Sequence, residues 1–188
     1  MRINRKAMFA VRNVCRGGMV ALILFFAAIT IAPSARAQGE CKILYDATDK
    51  LSDVPNHGYA TQTHGPKSAP ITSTTESIWI NGVIYIQMKG AWKKSGMTVA
   101  DMRAQEAENR KNAKNTSCKY LRDESVNGEA AAVYSAHSET EGVKSDATVW
   151  ISKSKGLILR QEDDMDMGDP DKMHISIRYE YGGVKAPI

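Results

Sequence analysis

Two Asn-Gly dipeptides, Asn81-Gly82 and Asn127-Gly128, each stand between runs that alternate or are apolar. Both positions of a two-residue type I′ turn need positive φ, and Asn-Gly supplies it, so each dipeptide marks a β-hairpin. The first joins Glu76–Ile80 to Val83–Met88. A turn that short fixes the register: Ile80 faces Val83 and Ile78 faces Tyr85 on one side, while Trp79 faces Ile84 and Ser77 faces Ile86 on the other. Both sides are apolar, so both must be covered. A sheet with a helix on one side and a core or cavity on the other does this.

The second hairpin pairs Cys118–Val126 with Glu129–His137. A third runs from Thr148–Lys153 to Leu157–Gln161 through Ser154-Lys155-Gly156, with Gly156 suited to a left-handed position, so its lysines read as a solvated tip. In the last strand Met173, Ile175, Ile177, Tyr179 and Tyr181 alternate with His174, Ser176, Arg178 and Glu180, the pattern of a half-buried antiparallel strand. Gly58–Pro70 reads as a short strand followed by a loop. Cys41, Leu44, Tyr45, Thr48 and Leu51 share one stripe of a helix of about three turns that Pro55 stops. Thr98-Val-Ala-Asp101 reads as a capped start of a polar helix running to about Asn115. The expected fold is α+β: a curved antiparallel sheet of about seven to eight strands, an unclosed half-barrel, with two helices packed on or across it.

Residues 1–37 have the layout of a secretory leader: a basic start, an apolar run from Met19 to Ile31, and Ala35-Arg36-Ala37. The alternative is an uncleaved anchor, but the run covers about 20 Å of a roughly 30 Å hydrocarbon core. Cleavage after Ala37 leaves residues 38–188 as a single exported domain without a transmembrane span. It also changes the charge. The leader holds six of the 25 basic residues and none of the 21 acidic ones, leaving 19 against 21, a net −2 with histidines neutral. The whole-chain +4 therefore does not point to a nucleic-acid partner. Cys41 and Cys118 remain as the one intramolecular disulfide available in an oxidising compartment; two buried free thiols, or a Cys41 left unpaired near the N-terminus, are the alternatives.

The order of elements, with Trp150-Ile151, Gly156-Leu157 and Arg160, resembles the LolA-like lipoprotein carriers and the LppX-type lipid carriers. Val83-Ile-Tyr-Ile-Gln87 followed by Gly90-Ala-Trp92-Lys93 is similar to a strand and Trp-containing segment of small secreted bacterial proteins of that shape. Ser152 stands where the carrier pattern has an acid, and Ile158 where it has proline. The resemblance implies an unclosed β-barrel with helices in its concavity, a hydrophobic groove for acyl chains and no catalytic residues.

Two functions fit. One is a periplasmic, non-enzymatic binding protein that holds the acyl chain of a lipid or lipoprotein, with Ile78, Ile80, Tyr85, Met173, Ile175, Ile177 and Tyr179 as candidate lining. The other is an envelope protein–protein interaction module whose half-barrel is filled by its own side chains. Trp92 with Lys93 and Lys94 is a candidate rim for headgroups or an acidic partner. Trp79 and Trp150, in central strands, read as core. No cofactor motif is present: there is no GxSxG, no CxxC, no phosphate-cradling glycine loop and no histidine pair at metal-ligand spacing. The acidic run from Glu162 to Asp171 lacks EF-hand spacing and reads as a solvated loop.

Overall fold

A computed structural model describes residues 35–66, 69–168 and 172–188. The first 34 residues of the expected leader, and Asp169 to Asp171 of the acidic run, lie outside them. Among the described residues there are two helices and nine strands: α1 (Ala35–Asp53), β1 (Asn56–His64), β2 (Ile71–Ile80), β3 (Val83–Met88), β4 (Ala91–Thr98), α2 (Val99–Asn112), β5 (Lys114–Val126), β6 (Glu129–Thr140), β7 (Val143–Ser152), β8 (Ile158–Asp166) and β9 (Lys172–Glu180). The strands make one antiparallel sheet in the order β4-β3-β2-β1-β9-β8-β7-β6-β5. β4 and β5 are its two edges and do not pair with each other, so the barrel stays open.

Both Asn-Gly turns have the expected backbone, with φ of 53° and 76° at Asn81 and Gly82 and 51° and 84° at Asn127 and Gly128. The first hairpin has the register read from its turn, Ile80 to Val83 through Ser77 to Ile86. Two further tight turns have the same positive pair at Lys89-Gly90 and Glu141-Gly142. They raise the strand count to nine and lengthen β6 and β7 beyond the segments the Asn-Gly signal delimits. Glu162 to Asp166 belongs to β8 instead of to a loop. Pairing with β7 and β9 holds these acids extended.

Directly paired residues of an antiparallel sheet share a face, and the registers therefore sort every strand. The face under α1 carries Cys118, Tyr134, Val149, Ile151 and Ile158, packed against Cys41, Leu44, Ala47 and Leu51 of the helix. Burying each larger apolar side chain contributes about 1.5–3 kcal/mol. A disulfide between Cys41 and Cys118, 77 residues apart, ties α1 to the β5 edge. At the other end of α1, wholly buried Asn56 donates its Nδ2 to the carbonyls of Leu51 (2.9 Å) and Val54 (3.0 Å). These are carbonyls that a helix C-terminus leaves without intrahelical partners. The opposite, outer face has its own smaller core of Ala131, Val133, Trp150 and Leu159. The Arg160 guanidinium lies 4.7 Å from the centre of the Trp150 ring on this face.

α2 opens on a capping box, with Asp101 N–H donating to Thr98 Oγ1 (3.2 Å) and Thr98 N–H to Asp101 Oδ2 (2.8 Å). The helix ends at Asn112, before the expected Asn115, because Lys114 already belongs to β5. In the chain it joins β4 to β5, so it links the two open edges of the sheet.

Candidate binding site

The site is the space that α1 and α2 enclose with the inner face of the sheet. Trp79 on β2 shares the helix-side face: it pairs with Asn56 of β1, two residues before Gly58, which pairs in turn with Tyr179 of β9. Trp79 lines two openings together with Ser52 and Arg103. The larger, about 600 Å³, lies between the end of α1 (Asp53 to Pro55), the β2–β3 turn and the start of α2. The smaller, about 230 Å³, runs between the helices past Thr48, Leu51, Met102 and Glu106. The larger volume falls within the roughly 300–1,000 Å³ usual for ligand sites.

The roof is held mainly by polar contacts. Arg110 of α2 sits 4.6 Å above the Tyr45 ring, pairs with Asp49 at 2.9 Å, and is braced by Glu106 from its own helix at 3.1 Å. Arg103 pairs with Asp53. Val99 is the one buried residue of α2; Met102, Glu106 and Arg110 are half-buried on a single i, i+4 stripe, and Ala100, Ala104 and Ala107 are exposed. A helix so held adds little apolar burial to the sheet below it.

The sequence-derived lining separates onto two faces. Met173, Ile175, Ile177 and Tyr179 lie on the helix side, where Ile175 and Ile177 are half-buried and Tyr179 packs against the α1 core. Burial pushes the Tyr179 phenol up to about 12. Ile78, Ile80 and Tyr85 lie on the outer face, because Ile78 pairs with His57 and His57 with Glu180. They cannot line the same groove. Ile78 and Tyr85 are instead buried within an outer cluster. There His57 stacks on Tyr59 at 4.2 Å, meets the edge of Trp92 at 5.8 Å and bonds Glu76 at 2.9 Å, while Arg178 lies 4.2 Å over Tyr59. The proposed rim divides as well. Trp92 and Lys94, opposite Gln87 and Tyr85, face outward; Lys93, opposite Ile86, faces the helices.

The lysine tip of the β7–β8 hairpin is neutralised by the neighbouring hairpin: Lys153 pairs with Asp123 at 2.7 Å and Lys155 with Glu129 at 2.8 Å. Lys155, followed by Ser152, holds the Glu129 carboxyl below its ordinary range. One acid of β8 stands on the inner face. Asp163, between Ala147 and Ile175, accepts from Ser145 Oγ at 2.7 Å, and desolvation raises its pKa above the ordinary value. Among the described residues no three His, Cys, Asp or Glu side chains gather as a metal group, and no helix is long and apolar enough to cross a membrane. Trp79, Met102, Arg103 and Arg110 were not among the sequence candidates. The face of Trp79 opposite Ile78 was readable from the first hairpin, but the packing of α2 on α1 leaves no local pattern.

Fold and site together define an open antiparallel half-barrel with a groove under two helices. No protein-family model matches the chain, and no curated protein matches it by sequence. Among solved structures it is similar to the lipoprotein LppX of Mycobacterium tuberculosis, with 13% identity over 78% of this chain and 96% of that one and a TM-score of 0.45. It is similar to LprF of Mycobacterium bovis, with 11% identity over 81% and 97% of the two chains and a TM-score of 0.46. It is also similar to MucB in the MucA/MucB complex of Pseudomonas aeruginosa, with 15% identity over 76% and 58% and a TM-score of 0.41.

Proposed function

We propose that this protein is an exported, periplasmic, non-enzymatic binding protein that holds an acyl chain or a similar apolar group between its sheet and its helices. One observation carries the reading: apolar side chains of the inner face stay half-buried, Trp79 at the openings beside α2, which is fixed by arginine contacts instead of by a packed core, and Ile175 and Ile177 further along the same face on β9. A filled half-barrel would bury them. The about 600 Å³ opening at Trp79 gives an apolar chain a way in. The leader-like first 37 residues and the Cys41–Cys118 bond support an oxidising compartment outside the cytoplasm.

Native mass spectrometry of the protein purified without detergent from its own host tests the proposal. A retained lipid-sized adduct that organic solvent strips is expected. A bare protein mass, together with no uptake of a fluorescent fatty acid, would overturn it.

A second reading, a protein-interaction module, is favoured by the β5 edge. Tyr120 and Leu121 are exposed there at a bulge on an edge strand whose outer side pairs with no other strand of the sheet. Cross-linking through a photoreactive residue at Leu121 in intact cells would return a discrete envelope protein if that edge adds a partner strand.

A further inference from the structure

The sheet places a donor set in register that the sequence scatters. His64 of β1 is paired with Met173 of β9, and Met173 with Met165 of β8, so an imidazole and two thioethers stand side by side on three adjacent strands. All three belong to the helix-side face, in the row bounded by Ile71 on β2 and Ser145 on β7. Gly65 donates its N–H to the Lys172 carbonyl at 3.3 Å, so Gly65 and Lys172 form a hydrogen-bonded pair. By the alternation of antiparallel ladders, His64 and Met173 form the closer, non-hydrogen-bonded kind, with Cα atoms about 4.5 Å apart. On its other side Met173 sits about 5.5 Å from Met165. His64 is exposed, and the two methionines are half-buried. The Gln62 side-chain amide donates to the Met173 sulfur on this same face.

We propose that His64, Met173 and Met165 form a binding site for a soft monovalent cation, Cu(I) by chemical class. Thioether sulfur and imidazole are soft and borderline donors that suit Cu(I), whereas Mg²⁺ and Ca²⁺ require oxygen. Three neutral donors on one face fit an ion of low charge. The nearest acid along β8 on this face, Asp163, is engaged by Ser145 and has its pKa raised by burial, so it does not make the row a hard-cation site. The three residues lie outside the lining of the openings at Trp79.

The test uses the full chain carrying Cys15→Ser, which removes the one cysteine outside the Cys41–Cys118 disulfide. Ag(I), a redox-inert substitute for Cu(I), is titrated in chloride-free buffer while the methionine methyl carbons are followed by NMR. The expected result is that the Met165 and Met173 methyls shift together, saturate at one equivalent, and move with the His64 ring. Met173→Leu and Met165→Leu, close in volume to methionine, should each weaken binding at least tenfold with the fold retained by circular dichroism. Met88→Leu, which removes an exposed methionine three strands away, should leave binding unchanged. The proposal is overturned if the Met165 and Met173 methyls shift no more than that of Met88, or if all three leucine variants bind Ag(I) alike.

Discussion

Arg110 lies with its guanidinium 4.6 Å from the centre of the Tyr45 ring, and this stack joins α2 to α1. The same guanidinium reaches Asp49 and Glu106, so one side chain carries much of the contact between the helices. Desolvation opposes the charge, but these two carboxylates outweigh it and raise the arginine further. Arg110→Met keeps the apolar stem and removes the charge. It should lower stability by about 1–2 kcal/mol, the sum of a partly desolvated cation–π contact and an ion pair near the surface. Hydrogen exchange of residues 99–112 should quicken more than that of β6 and β7. Equal acceleration throughout would mean that Arg110 supports the whole fold and not the roof.

The Cys41–Cys118 bond closes 77 residues and fixes α1 to an edge strand. Cys41→Ala with Cys118→Ala should cost about 2–5 kcal/mol by urea unfolding. The loss should be largest for α1, whose amides should exchange before those of the central strands. A double variant as stable as the parent would show that helix packing alone holds α1.

Trp79 and Trp150 belong to opposite faces and should behave differently. Trp150 is 4% exposed in the outer core, so Trp150→Ala should destabilise by about 3–5 kcal/mol. Trp79→Ala should unfold at nearly the parental denaturant concentration yet take up a fluorescent fatty acid about tenfold more weakly, on the order of 1.4 kcal/mol. If Trp79→Ala loses stability as Trp150→Ala does, Trp79 is core and not groove wall.

Asp163 gives a pH prediction with a definite sign. Its folded-state pKa is raised above the ordinary 3.8, mainly by desolvation, so the unfolded chain releases this proton first. Stability from this group therefore falls as pH rises past 3.8, and the loss persists once the folded carboxyl has ionised. Asp163→Asn can still accept from Ser145 and carries no charge. Its urea midpoint should exceed the parent's at neutral pH, and the gap should close as pH falls below the ordinary carboxylate range. A variant less stable than the parent at neutral pH would contradict this.

The turns show how far local chemistry reaches. Asn81-Gly82 fixed not only a hairpin but each cross-strand pair of β2 and β3, because a two-residue turn leaves one register. Lys89-Gly90 and Glu141-Gly142 make equivalent turns, yet Lys and Glu rarely take positive φ, so β4 and the outer halves of β6 and β7 left no sign. The lining failed at a different level. Within β2 and within β9 the alternation was legible. Which face of β2 continues into which face of β9 depends on β1, lying between them, whose helix-side positions Gly58, Ala60 and Gln62 are small or polar and do not mark that face as apolar. That one intervening strand puts Ile78 beside His57 and leaves Trp79 to face the helices. The row of His64, Met173 and Met165 is invisible in sequence for the same reason.

The groove is tested most directly on β9, where neighbouring residues point to opposite faces. Ile177→Arg puts a charge on the helix side, and Ser176→Arg puts the same charge on the outer face. With fluorescent fatty acid uptake measured on both variants, the groove predicts that Ile177→Arg abolishes uptake and Ser176→Arg leaves it at the parental level. Parental uptake by a folded Ile177→Arg protein, or equal loss in both variants, would contradict an acyl-chain site on the inner face of this sheet.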